Sequence, residues 1–370
     1  MAFACSLLPA AIYVYRHPSN NWDMLPYMAI LLRMDGLDGR ELHQQTYDAA
    51  RQNIPGADFN NLVASGHREK FAKDSTLFDR ILPFYLVKPL YTGFSYACYK
   101  LGATLPFSTL LPSIAAYLLT GILFFYWLQL YLKKWMAFGI SLLVMYASFV
   151  IAVARIASPD FLSAFLLMAG IFCMSEKKHA ALIFSCFLLA VLARLDNIIT
   201  SSILVTFLLY AGRVSGRHYL LMLSGFVTAY LATTIRLQAF GWDVLYYTNF
   251  MHYLHQEPGF AEGTSLNAYL ALVYSRIVSA VVHYHLSIFL LVAFMTAAMS
   301  RMMRRSLSFD QLLVIVLVLT MTVRFVLWPD LSDRFYIGFY LVFLVVFLKT
   351  IVTFLQAYAA THAPVIKMNL

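Results

Sequence analysis

Charged residues are scarce in this sequence, and their scarcity argues against a soluble globular domain. Asp, Glu, Lys and Arg make up 12% of the 370 residues, whereas soluble domains carry about a quarter. Apolar side chains make up 61%, in runs comparable to the roughly 20 residues that a membrane-spanning helix needs. The composition predicts an all-α, polytopic integral membrane protein with about ten transmembrane helices.

Redox and metal motifs are also lacking. The four cysteines (Cys5, Cys98, Cys173 and Cys186) stand in apolar segments without CxxC spacing, so they are interpreted as small buried hydrophobes. His252 and His255 lie three apart in a polar loop with no third ligand nearby, which is weak support for a metal site. Lys and Arg are scattered between apolar runs, and no basic stripe indicates a nucleic-acid partner.

The chain is predicted to form one transmembrane domain over residues 1–370. Residues 1–15 are expected to be an uncleaved first helix, because they lack a positive n-region and a cleavage signal. Residues 16–104 are predicted to form an outer loop with amphipathic juxtamembrane helices near Met24–Met34 and Arg40–Gln52 and an interfacial segment at Pro89–Leu101. Residues 106–355 hold the remaining helices, of which Leu266–Ser300 is too long for one span, so its first half is assigned to the interface.

Basic residues between the spans predict the orientation. They recur in alternate connections, at Lys133/Lys134, Lys177/Lys178, Arg213/Arg217 and the Arg301–Arg305 cluster. Short loops rich in Lys and Arg remain in the cytoplasm. The first loop, the Asp160 turn, the loop 236–265 and the loop 330–334 are then expected to share the outer face.

Ionisable groups collect on that outer face, and at membrane depth such groups are candidates for function. The set is Asp23, Lys88, Asp160, Arg194, Asp196, Arg236, Asp243, Asp333 and Arg334. Carboxylates can act as general bases, and Arg and Lys can bind phosphate. This combination suits an anionic, lipid-linked substrate together with a proton to be removed.

Each of these residues also has a structural explanation. Asp23 and Asp160 could cap helices or interact with helix dipoles. Lys88 could extend to the interface, and Arg194 could pair only with Asp196. Arg334 could be an interfacial anchor.

Five short motifs, in order along the chain, resemble those of the GT-C superfamily of integral-membrane glycosyltransferases. They are Trp22-Asp23-Met24-Leu25-Pro26-Tyr27, Lys88-Pro89-Leu90-Tyr91, Ser158-Pro159-Asp160-Phe161-Leu162, Ala193-Arg194-Leu195-Asp196-Asn197 and Asp333-Arg334-Phe335-Tyr336. This superfamily includes aminoarabinose, arabinofuranosyl and protein mannosyl transferases. The match in order and spacing is good over residues 23–210 and looser beyond.

The resemblance implies transfer of a sugar from a polyprenyl-phosphate donor to a glycan, lipid or protein acceptor at the outer face of a bacterial plasma membrane. It implies Asp23 as general base, Asp160 as an orienting carboxylate, and Lys88, Arg194 and Arg334 as phosphate-binding cations. Tyr27, Tyr91, Asp196 and Tyr336 are the expected substrate-binding residues.

Two departures from the superfamily pattern bear on cofactor and acceptor. Many members have a second acidic residue after the first, where this chain has Met24. This difference puts the requirement for a divalent cation in doubt, and a divalent cation is the one cofactor that the resemblance leaves possible. The chain also lacks a soluble domain after the last predicted helix, so the acceptor-binding part is expected to be minimal or supplied by a partner.

Other functions remain open from the sequence. Arg276, Arg324 and Lys349 stand inside apolar segments, as in a transporter or flippase of lipid-linked sugars. A polysaccharide polymerase or ligase would use similar arginines but favours a large outer loop late in the chain. A subunit that has lost catalysis is the fourth alternative.

Overall fold

The computed structural model describes residues 2–64, 66–237, 266–302 and 308–366. Within these residues the regular secondary structure is helical, apart from one isolated parallel bridge between Ser19 and Ile156. The all-α prediction is therefore confirmed for the described chain. His252, His255 and Asp243, and the arginines at 304 and 305, lie outside the described residues.

The first helix is followed by a set of short helices before the longer apolar ones begin. They are α1 (Ala2–Arg16), α2 (Met24–Met34), α3 (Gly39–Asn53), α4 (Gly56–Val63), α5 (His67–Lys73), α6 (Ser75–Ile81), α7 (Pro83–Leu86) and α8 (Pro89–Lys100). The two predicted amphipathic helices and the predicted interfacial helix correspond to α2, α3 and α8.

Longer apolar helices follow. They are α9 (Leu105–Gln129), α10 (Lys134–Met145), α11 (Ser148–Ala154), α12 (Asp160–Ser175), α13 (Ala180–Ala193), α14 (Asn197–Tyr210), α15 (Gly216–Arg236), α16 (Leu266–His283), α17 (Leu286–Met302), α18 (Phe309–Leu327) and α19 (Asp333–Ile366).

Four of the described helices (α9, α15, α18 and α19) are long and apolar enough to cross a membrane, or six spans if each of two bent pairs counts as one. The α10–α11 pair bends by 62° and the α16–α17 pair by 81°. The single span predicted at Trp135–Ala154 is thus broken at Tyr146–Ala147. The predicted division of Leu266–Ser300 is observed as the sharper bend.

Helices α2–α8 pack on a hydrophobic core of their own, which includes Leu25, Met28, Phe71 and Phe78. On α3, α4 and α6 apolar residues at helical spacing are buried, among them Leu42, Phe59 and Phe78. We call this layer, residues 24–100, the helical cap. Two of its helices, α3 and α6, begin at carboxylates that accept backbone N–H groups, Asp38 from Gly39 (2.9 Å) and Asp74 from Thr76 (2.9 Å) and Leu77 (3.1 Å), which satisfies donors that a helix start leaves unpaired.

The bundle has two polar ends. One, the cavity end, carries Asp23, Asp160, Arg194 and Arg334, which are linked by ion pairs. At the opposite end, the basic end, Lys349 of α19 bonds to Asp310 of α18 (2.5 Å) and to Tyr131 after α9 (3.0 Å). The connections with Lys133/Lys134, Lys177/Lys178 and Arg213/Arg217 also lie there, since they join the far ends of α9, α12 and α14.

Candidate active site

Two connections are pinned together at the cavity end. The Ser19 amide donates to the Arg155 carbonyl (2.8 Å). The Ser113 hydroxyl, from inside α9, bonds to the carbonyls of Ile156 (2.9 Å) and Ser158 (3.0 Å). Because these bonds fix the chain just before α2 and just before α12, they hold Asp23 and Asp160 near one another, although 137 positions of sequence separate them.

Arg334, at the start of α19, connects the two carboxylates. Its Nη1 lies 3.3 Å from Asp23 Oδ2 and its Nε lies 3.8 Å from Asp160 Oδ2. Asp23 also accepts a hydrogen bond from the Tyr85 hydroxyl at 3.0 Å, and 31% of its side chain is exposed. Asp23 is therefore held in place while it remains accessible to a ligand.

Asp160 is more enclosed, with 3% of its side chain exposed. One of its oxygens pairs with Arg194 Nη1, and the other accepts from the Ser158 hydroxyl at 2.8 Å. A carboxylate so saturated orients its neighbours and is poorly placed to take a proton.

Arg194 also binds Asp196, through Nε–Oδ1 (3.0 Å) and Nη2–Oδ2 (3.1 Å). Asp196 in turn accepts from Arg324 of α18 at 2.5 Å. Desolvation disfavours the ionised carboxyl of Asp196, which is still 40% exposed, but Arg194 and Arg324 outweigh it and hold the pKa of Asp196 well below its usual range. The chain Asp160–Arg194–Asp196–Arg324 thus joins the starts of α12 and α14 to the end of α18 through charged contacts.

Lys88, immediately before α8, lies against the rings of two tyrosines. Its Nζ is 5.2 Å from the centre of the Tyr27 ring and 4.8 Å from that of Tyr85, and it donates to the Phe84 carbonyl at 3.3 Å. Burial, reinforced by the positive charge of Arg194, lowers the pKa of Lys88 to about 8. The amine can therefore gain or lose its proton near neutral pH.

A cavity of about 250 Å³, its open mouth included, lies between α12 and α19 at this end. Of the described residues that line it, the charged ones are Asp160, Arg194, Arg324 and Arg334. Ser163 is the neutral hydroxyl in the lining, and Leu167 and Phe339 are among its apolar residues. Three guanidiniums against one carboxylate favour an anionic ligand.

The structure does not support the purely structural roles considered above for Asp23, Lys88 and Arg194. Asp23 makes no capping hydrogen bond to α2. Lys88 turns toward Tyr27 and Tyr85, and the Arg194 side chain reaches Asp160 as well as Asp196.

The predicted tyrosines lie behind the cavity lining. Tyr27 packs edge-on against Tyr85 and Tyr91, with ring centres 5.1 and 4.7 Å apart. The Tyr91 hydroxyl is committed to the Thr109 carbonyl at 2.6 Å. The guanidinium carbon of Arg324 lies 5.7 Å from the centre of the Tyr336 ring. Tyr27 and Tyr336 thus lie against the cations Lys88 and Arg324. The assignment of the three tyrosines to substrate binding stays a prediction.

Two residues of the site were not predicted as such. Arg324 was noted only as a charge within an apolar segment, a signal that does indicate function. Tyr85 lies in the polar stretch before Lys88 and carries no signal in the sequence that would distinguish it.

The carboxylates do not fit a resident divalent cation. The position after Asp23 is a buried methionine, and the oxygens of Asp23 and Asp160 face guanidinium and hydroxyl groups. Among the residues that the structure describes, no group of three or more His, Cys, Asp or Glu side chains is arranged to hold a metal.

Comparison of the chain with protein-family models, with curated proteins and with solved structures finds no match. The geometry of the cavity end therefore carries the functional argument.

Proposed function

We propose that the protein is a glycosyltransferase that moves a sugar from a polyprenyl-phosphate donor to an acceptor at the cavity end. The observation that carries this proposal is the arginine-lined cavity beside a partly exposed carboxylate, with Arg334 contacting both Asp23 and Asp160. The family resemblance singles out Asp23, Asp160, Arg194 and Arg334 of this set from the sequence. Guanidiniums bind a phosphate, and the accessible carboxylate supplies a base.

The proposed step is a single displacement. Asp23 takes the proton of an acceptor hydroxyl while the acceptor oxygen attacks the anomeric carbon. The bond between that carbon and the phosphate oxygen breaks, and the lipid phosphate leaves with the electron pair. Inversion at the anomeric carbon follows from attack opposite the leaving group.

The cations stabilise the charge that develops on the departing phosphate. Arg194, Arg324 and Arg334 are fixed by carboxylates and aromatic rings before the reaction, so little reorganisation is needed when the bond breaks. Lys88 would add a fourth positive charge, because a bound phosphate would favour the protonated form of the Lys88 amine. Asp160 holds Arg194 and Arg334 in place.

The proposed topology has about ten spans. Four shorter apolar helices, α1, α12, α13 and α14, would cross the membrane with the six spans counted above. The basic end would face the cytoplasm by the positive-inside rule, so that the cavity end faces outward. A bacterial plasma membrane is the location that the resemblance favours.

The deciding experiment measures transfer of radiolabelled sugar from polyprenyl-phosphate donors, hexosyl and pentosyl, into membranes that contain the protein. Asp23→Asn removes the base but keeps the hydrogen-bonding shape, so transfer is expected to fall at least 100-fold while insertion and folding are retained. Asp48→Asn, which makes the same chemical change on α3 within the helical cap, is the matched control and should transfer normally. Full activity of the Asp23→Asn variant would refute the assignment.

The same assay separates the competing functions. A transporter or flippase of lipid-linked sugars would move labelled lipid across the bilayer without forming a transfer product. A polymerase or ligase would lengthen or attach a glycan chain from a lipid-linked oligosaccharide. A single-sugar product from a monoglycosyl donor is the outcome that supports the proposal.

A further inference from the structure

The cavity has a neutral hydrogen-bonding side in addition to its charged rim. Ser163 lies one turn after Asp160 on α12, and residues three apart share one face of a helix. Its hydroxyl oxygen accepts from Asn197 Nδ2 at 2.7 Å. Among the described residues none accepts the hydroxyl proton of Ser163, so that proton is available to a ligand in the cavity that Ser163 lines.

Asn197 fixes the direction in which Ser163 can donate. Its amide nitrogen spans the gap between Ser163 and the Ala190 carbonyl (2.8 Å), which ties the end of α13 and the start of α14 to α12. An amide that donates to a hydroxyl oxygen turns the hydroxyl's own proton away from itself. Asn197 therefore acts as a positioning residue for Ser163.

Unpaired polar atoms extend this side into the bundle. The Asn197 Oδ1, Thr200 Oγ1 and Ser201 Oγ atoms are buried and have no hydrogen-bond partner among the described residues. The three residues share one face of α14, at positions i, i+3 and i+4. Buried oxygens of this kind are normally paired with protein, water or ligand, so a polar surface continues from Ser163.

The chemistry of the two sides differs. Three guanidiniums already provide many charged donors for a phosphate, and one neutral hydroxyl adds little to them. A polyprenyl tail has no oxygen for Ser163 to contact. The part of a glycosyl polyprenyl phosphate that carries neutral donors and acceptors is the sugar, and the Ser163 hydroxyl provides a neutral donor for it.

We infer that Ser163, oriented by Asn197, donates a hydrogen bond to an oxygen of the lipid-linked sugar and so distinguishes a glycosylated donor from bare polyprenyl phosphate. This inference rests on the proposed function, because it takes the cavity as the donor site.

The test measures binding of two probes to the full chain in lipid nanodiscs: a bare polyprenyl phosphate, and a panel of its monoglycosyl derivatives, hexosyl and pentosyl. Wild-type protein is expected to bind at least one glycosyl derivative more tightly than the bare phosphate. Ser163→Ala should weaken binding of that derivative three- to tenfold, the range for one hydrogen bond to a neutral group, and leave the bare phosphate unchanged. Binding of the bare phosphate thus also reports that the variant is folded.

Thr206→Ala is the control, because Thr206 is an exposed hydroxyl residue of α14 whose side chain bonds only to its own helix, at the Ser202 carbonyl. It should change neither affinity. Equal weakening of both probes in Ser163→Ala would assign the hydroxyl to the phosphate and overturn the inference, as would no weakening or an equal loss in Thr206→Ala. If wild-type protein binds neither probe, the proposed function itself fails, and this inference with it.

Discussion

Replacing Arg194 with Met tests the charged network of the cavity end most directly. Methionine keeps much of the length and apolar volume of the arginine side chain, but removes its charge. Asp160, 3% exposed, then loses its closest cation, and Arg334 Nε remains 3.8 Å away. Asp196 keeps Arg324 at 2.5 Å and is 40% exposed, so the substitution destabilises the ionised Asp196 less than the ionised Asp160.

The size of the effect follows from burial. Removing one partner of a buried pair leaves an uncompensated charge, at a cost of about 3–5 kcal/mol of unfolding free energy. The partial compensation by Arg334 places the expectation near the lower end, about 3 kcal/mol. For a chain of this size that corresponds to a fall in Tm on the order of 5 °C. Arg217→Met, an exposed arginine of α15 at the basic end, should cost no more than about 0.5 kcal/mol.

The assay is thermal unfolding in one detergent, followed by intrinsic tryptophan fluorescence, for Arg194→Met, Asp160→Asn and the double variant. Removing both charges leaves no orphaned ion, so the double variant should be more stable than the sum of the single losses predicts, with a coupling of about 1–3 kcal/mol. Additive losses would show that Asp160 does not depend on Arg194. An Arg194→Met variant as stable as Arg217→Met would likewise show that Arg194 is not the partner on which the buried Asp160 depends.

Two further predictions concern the same end of the bundle. Because burial lowers the pKa of Lys88 to about 8, its ammonium is lost as pH rises through that value. Binding of a glycosyl polyprenyl phosphate should weaken between about pH 7 and 9 in wild type and stay level in Lys88→Arg, and a level wild-type profile would contradict this role. Since the neutral amine is the form that folding favours, stability should not fall over that pH range. Gly338→Ala places a Cβ 3.0 Å from the Ala164 backbone oxygen, so it should lower unfolding free energy by about 1–3 kcal/mol, whereas Gly139→Ala, with nothing within 4 Å, should be neutral or gain up to about 1 kcal/mol. Equal melting temperatures for the two alanine variants would show that α12 and α19 can separate without loss.

The convergence of the site could be predicted because membrane topology restricts where loops lie. Once basic connections fix alternate loops on one side, the remaining loops share the other side. Asp23, Asp160, Arg194 and Arg334 stand in or beside those remaining loops, so they are expected on one side even though they are far apart in the sequence. Helix patterns at Met24–Met34 and Pro89–Leu101 were equally readable, because amphipathic periodicity is a local signal.

The partners within the site could not be predicted, because they depend on how helices rotate and cross. Arg324 joins Asp196 only because the end of α18 packs beside the start of α14. Tyr85 reaches Asp23 only after the helical cap has folded on its own core. The break at Tyr146–Ala147 lacks the proline or glycine that usually marks a bend, so the sequence read as one continuous span.

The positions of two charges within apolar segments also favour an enzyme over a transporter. Arg324 belongs to the cavity end, where it pairs with Asp196. Lys349 belongs to the basic end, where Asp310 and Tyr131 bind it and Tyr131 in turn donates to Glu176. Arg334 and Lys349 are 15 residues apart on α19, about 22 Å at 1.5 Å per residue.

The separation of the two polar clusters is comparable to the roughly 30 Å hydrocarbon core of a bilayer, and the α19 segment between them is apolar. A transporter of lipid-linked sugars would be expected to place its charges near the midplane and to open each end in turn. Here α9, α12, α18 and α19 are tied together at the basic end by buried or half-buried hydrogen bonds and an ion pair. Opening that end would break these contacts, including the ion pair between Lys349 and Asp310. A site that works from one face needs no such opening, and the cavity end already combines the cations and the accessible carboxylate that group transfer requires.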